Sequence, residues 1–122
     1  MNRNKKKGSA EDLVIKVELE EDIDKPTLVR FLGKNYSIDY IDRNKGQEDL
    51  GNTLFHEQQV LVQNNLHPAE EADVLLHEFI HVIDLAMKLD LSEHQVRVLA
   101  SGIYALLQDN PDFAEFITHQ RI

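Results

Sequence analysis

From Pro68 to Lys88 the chain reads PAEEADVLLHEFIHVIDLAMK, with no glycine and no proline after the first position. That stretch constrains the fold more than any other, because it has one regular state open to it. Pro68 suits a first helical turn, and Glu70, Glu71 and Asp73 follow it near the positive end of the helix dipole. Leu75, Leu76, Phe79, Ile80 and Ile83 supply an apolar face. A helix over about 68–88 is predicted, and its apolar face must be covered by the rest of a 122-residue chain.

The segments before it read as strands. Leu28–Leu32 and Tyr36–Ile41 alternate around Gly33-Lys34-Asn35 and predict a hairpin. Residues 43–57, with two glycines and two asparagines, read as a loop. Gln58–Gln63 predicts a third strand, with Val60 and Val62 facing one way and Gln59, Leu61 and Gln63 the other. After the long helix, Ser92-Glu93-His94-Gln95 fits a capping box opening a second helix to about residue 108. Asn110-Pro111 breaks it, and a short helix over 112–119 follows. Strands first and helices afterwards predict an α+β fold with a small antiparallel sheet. The organisation expected is an N-terminal arm over residues 1–22, containing an alternating Val14–Leu19 segment, and one domain over residues 23–122.

Composition narrows the chemistry. The chain has no cysteine, so any metal must be held by histidine and carboxylate, a chemistry that suits a reducing cytoplasm. The net charge is −9, and Arg3, Lys5, Lys6 and Lys7 stand together at the start, so that apart from these four the chain has 9 basic against 22 acidic side chains. A body that acidic repels nucleic acid. No apolar run is long enough to span a bilayer, and the basic start lacks the apolar stretch of a signal peptide, so a soluble protein is expected.

Chemistry is named most directly by His77-Glu78-x-x-His81. At 3.6 residues per turn the two histidines lie about 40° apart, so both rings can converge on one ion. Glu78 is about 100° round from His77, outside the ligand shell yet close enough to reach a water on the ion. Zinc lowers the pKa of such a water to about 7 and the glutamate takes its proton. The alternative is a core helix burying two histidines, each of which then needs a hydrogen-bond partner.

A third ligand must come from outside this turn. The metzincin pattern would supply it six residues after His81, but that position is Met87, and Asp84 replaces the preceding glycine. Glu93 is the candidate, delivered by a short return after the helix, with Asp90 and His94 as alternatives. Asp84, about 20° from His77, is placed to orient a ligand imidazole. Arg97 and Tyr104 are candidates for stabilising an oxyanion. Gln59, Leu61 and Gln63, on the strand before the helix, are candidates for binding an extended peptide along a sheet edge. His56, His67 and His119 have no ligand spacing and read as structural or exposed.

With LLHEFIHVID preceded by QQVLVQ and followed by LSEHQVRVLASGIYALLQDNPDF, the chain resembles a minimal zincin of the small phage- and prophage-encoded kind. Over roughly residues 27–117 it is similar in layout to the ImmA/IrrE-type metallopeptidases. The resemblance implies His77 and His81 as zinc ligands, Glu78 as general base, and a regulatory protein as substrate. In ImmA/IrrE-type proteins the third carboxylate stands in a glutamate-alanine-asparagine-like segment, whereas VLASGIY here has Leu99 before Ala100. Two functions are therefore expected to compete: a zinc peptidase acting on a protein or peptide, and a catalytically weak metal-binding module that binds a regulatory partner.

Overall fold

The computed structural model describes residues 24–42 and 49–119, so the expected arm over residues 1–22, with its basic tail and Val14–Leu19 segment, lies outside the described residues. The fold is α+β. Strands β1 (Leu28–Phe31) and β2 (Lys34–Ile41) form the expected hairpin. Its turn is Leu32-Gly33, earlier than the expected Gly33-Lys34-Asn35, and both residues have positive φ, 49° and 81°. A two-residue turn of that hand follows the twist of the strands it joins.

The sheet differs from the expected antiparallel one. Within the segment read as a loop, Gly51–Leu54 forms β3, antiparallel to β4 (Gln59–Gln63). β4 lies between β3 and β2 and runs parallel to β2, giving the order β1-β2-β4-β3 in a mixed sheet. Parallel neighbours need a crossover of a dozen or more residues. The stretch from Asp42 to Gln58 supplies it and includes β3 itself.

Three helices follow: α1 (Pro68–Met87), α2 (Glu93–Asp109) and α3 (Pro111–His119). His67 opens α1, its Nδ1 accepting the Ala69 N–H at 3.2 Å. The predicted capping box opens α2: Ser92 Oγ accepts the Gln95 N–H at 3.1 Å, and Gln95 Oε1 accepts the Ser92 N–H at 2.8 Å. Among the described residues, no helix is long and apolar enough to cross a membrane.

α1 is the centre of the molecule because it is covered on two sides. Tyr36, Ile38, Val60 and Val62 of the sheet pack with its Val74 and Val82. Its other flank sets Ile80 and Leu76 against Val96, Ala100 and Ile103 of α2. Val60, Val62, Val82 and Val96 are fully buried; each contributes about 1.5–3 kcal/mol over its exposed state. Between the two covered sides a strip of α1 remains open, and His77 and His81 lie on it.

Candidate metal centre

Two imidazoles and one carboxylate meet on that strip. His77 Nε2 is 2.7 Å from Glu93 Oε1, and His81 Nε2 is 3.2 Å from Glu93 Oε2. The donor atoms of the three residues all lie within 4.8 Å of one another. Tetrahedral ligands about 2.0–2.1 Å from a zinc ion stand about 3.3 Å apart. The 3.2 Å contact already has about that length, and the 2.7 Å contact needs to open by about 0.6 Å, which a half-exposed glutamate on a first helical turn allows. The donor set fits zinc, and also iron, cobalt or nickel.

Glu93 reaches the histidines through the link between α1 and α2. Lys88 and Asp90 take left-handed backbone conformations, with φ of 56° and 60°, and reverse the chain. Asp84 holds that reversal. Its carbonyl accepts the N–H groups of Lys88 and Leu89, and its carboxylate accepts the Leu91 N–H at 3.1 Å. The expectation that Asp84 orients a histidine is thereby corrected: it is buried, but its carboxylate is engaged by the link. The alternatives for the third ligand do not join the cluster, since Asp90 sits in the reversal and His94 lines a separate groove with Leu91, Gln95, Val98 and Leu99.

Replacing Asp84 with alanine removes a buried charged acceptor, at a cost of about 1.5–3 kcal/mol. It also loosens the delivery of Glu93, so cation affinity is expected to fall about 10-fold or more. Asp84→Asn keeps an acceptor oxygen and should recover most of both losses. Thermal melts and a zinc titration of the two variants check this.

Glu78 points from the same turn toward the sheet and is 6% exposed. Thr53 Oγ1 lies 2.8 Å from Glu78 Oε1 and 3.1 Å from the Glu78 carbonyl; its single O–H donates to one of them at a time, and the carboxylate is the nearer acceptor. Burial raises the Glu78 pKa from its ordinary value. The Thr53 hydrogen bond and the nearby His77 and His81 pull it back, and Glu93 adds to the rise. A carboxylate that holds a proton more firmly is a better base near neutral pH.

Gly51 makes room for this carboxylate. A Cβ at position 51 would lie 2.8 Å from Glu78 Cγ, 2.9 Å from Glu78 Oε2 and 2.9 Å from Val74 Cγ1. Gly51 and Thr53 lie on the same face of β3, opposite Val62 and Val60. Gly51→Ala is therefore expected to cost about 1–3 kcal/mol by overpacking and to push Glu78 off Thr53. Cation binding by His77, His81 and Glu93 should change little. Urea denaturation and a zinc titration of the variant separate the two effects.

The cluster opens into a cleft of about 580 Å³. α1 contributes Asp73 and Glu78 beside the histidines, α2 contributes Glu93 and Arg97, and Asp49 to Asn52 form the opposite wall. Of the two oxyanion candidates, Arg97 lines the cleft beside the cluster and Tyr104 does not. The edge strand at this wall is β3, which corrects the reading of Gln59, Leu61 and Gln63 as substrate-binding. β4 is hydrogen-bonded on both sides, so it offers no edge. Gln59 instead donates to Asp39 on the sheet. Just before β3, Leu50 pairs with Gln63 through the Gln63 N–H to Leu50 carbonyl bond. The antiparallel alternation then turns the backbone groups of Gly51 and Thr53 away from β4, toward the edge that no strand among the described residues pairs. Sequence reasoning missed Gly51 and Thr53; their two-residue spacing was the available signal, hidden in a short, glycine-flanked segment.

No protein-family model, no curated protein and no solved structure matches this chain.

Proposed function

We propose that the chain is a metal-dependent peptidase acting in the cytoplasm, with zinc held by His77, His81 and Glu93 and with Glu78 as general base. The observation that carries this reading is the meeting of the three donors on one side of a buried, Thr53-held carboxylate, at the mouth of a cleft walled by a strand edge. Zinc bound there would acidify a water molecule and polarise a carbonyl group.

The chain's own groups account for the rest. An extended peptide pairs with the backbone of Gly51 and Thr53 on β3, which sets the scissile bond along the cleft. Glu78 takes a proton from the attacking water and passes it to the leaving amine, with Thr53 fixing its direction. Arg97, a cation on the cleft wall, stabilises negative charge on the carbonyl oxygen. The lack of cysteine suits a reducing compartment. The likeness of the sequence to small phage-type zincins favours a regulatory protein as substrate.

The reading is tested by comparing protein N-termini in cells expressing the wild type and Glu78→Gln. New N-termini that need the wild type, and that purified zinc-loaded protein reproduces on the isolated target, support it. Identical N-termini in both cells, with undiminished partner binding by the variant, support the interaction module instead.

A further inference from the structure

α2 carries two apolar faces, and the described fold covers one. Val96, Ala100 and Ile103 close on α1. Beside them Val98, Leu99, Gly102, Ala105 and Leu106 fall within a sector of about 120°, and all five are exposed. Val98 is 54% exposed and Leu106 50%. From Val98 to Leu107 the helix has no charged side chain. A helix apolar nearly all round belongs in an interior. α3 adds Phe113, Phe116 and Ile117, all exposed, and has no buried residue.

We infer that this face is the interface of a homodimer in which α2 packs antiparallel on α2 of a second copy, crossing at Gly102. The stripe is self-complementary. Val98 stands four residues before Gly102 and Leu106 four after, Leu99 three before and Ala105 three after. A two-fold axis through Gly102 sets Val98 against Leu106 of the partner subunit, and the reverse, as an isologous interface requires. Gly102 itself points the same way. A glycine inside a helix costs about 1 kcal/mol against alanine, and among the described residues nothing demands it, since a Cβ there meets no atom of theirs within 4 Å. Close approach of a second helix explains it.

Area and charge agree with this occupant. Val98, Leu99 and Leu106 of the stripe and Phe113, Phe116 and Ile117 of α3 average about half exposure. At about 150–250 Å² for a fully presented aromatic side chain and somewhat less for an aliphatic one, they leave on the order of 500 Å² per copy. A standard interface takes about 800 Å² from each partner, and polar rim atoms of the two helices supply the remainder. Copies with a net charge of −9 repel, and this uncharged stretch is where they can meet. Pairing would also clamp the helix whose first turn carries Glu93.

The test is the mass of the full chain by light scattering and sedimentation equilibrium at tens of micromolar. The wild type should have twice the 14.1 kDa of one chain. Val98→Glu with Leu106→Glu, both at exposed positions, should return it to 14.1 kDa with an unchanged helical circular dichroism spectrum. Because the chain has no cysteine, Gly102→Cys provides a second readout that needs no disruption: mild oxidation should join two copies through position 102. A wild type that stays at the mass of one chain, a dimer untouched by the double substitution, or a Gly102→Cys variant that does not cross-link would each overturn the inference.

Discussion

Glu78→Gln is expected to retain the bound cation, lower peptide hydrolysis by about 10³-fold or more, and raise thermal stability. The first part follows from position, since Glu78 is not among the three donors that converge. The second follows from its role: removal of a general base costs about 10²–10⁴ in rate, and a buried site gives bulk water little chance to substitute. The third follows from its burial. In the metal-free protein the Glu78 pKa is raised chiefly by desolvation, so the folded state binds that proton more firmly than the unfolded chain does. Stability is then lost as pH rises from the ordinary carboxylate range through the raised value. Glutamine keeps an oxygen for the Thr53 hydroxyl and carries no charge, so the variant lacks this loss. Near neutral pH it should melt a few degrees higher than the metal-free wild type, and the gap should close on acidification. A variant that melts lower at pH 7 would mean that His77, His81 and Thr53 outweigh desolvation.

The parts of this site that lie on α1 were legible because helical periodicity fixes relative angles. His77, Glu78 and His81 are placed by the period alone, and the capping box at Ser92 fixed where α2 starts, hence where Glu93 could arrive. The wall opposite was hidden for a topological reason. β3 is four residues long, begins with glycine and has one β-branched residue, Thr53, so its local pattern is that of a loop. The alternation of Val60 and Val62 against Gln59, Leu61 and Gln63 gave the correct faces of β4. Whether a strand lies at an edge depends on what pairs with it, and the parallel partner of β4 is separated from it by the crossover. Asp84 was misread for a related reason. The angle from His77 was right, but the left-handed turn at Lys88 and Asp90 brings the Leu91 N–H to its carboxylate, and nothing in the helical pattern foretells that turn.

Glu93 bridges the two imidazoles directly. An exposed pair of that kind is worth little, about 0–1 kcal/mol, and the histidines are only partly buried. Removing both rings should therefore leave the fold nearly as stable while eliminating two of three donors. Site free energies of about 10–16 kcal/mol for fully liganded zinc imply a loss of roughly 10³-fold or more in affinity. Glu93→Ala, with both histidines intact, should fall between the wild type and the double variant, whereas Asp90→Ala and His94→Ala should bind as the wild type does.

Three side chains from two helices are proposed to grip one ion, and metal content measures that directly. Protein equilibrated with zinc and freed of excess should retain about one equivalent by plasma mass spectrometry, as expected for a single three-ligand site, and His77→Ala with His81→Ala should retain none while giving the same circular dichroism spectrum. A wild type that retains no metal, or a double variant that retains as much as the wild type, would contradict it.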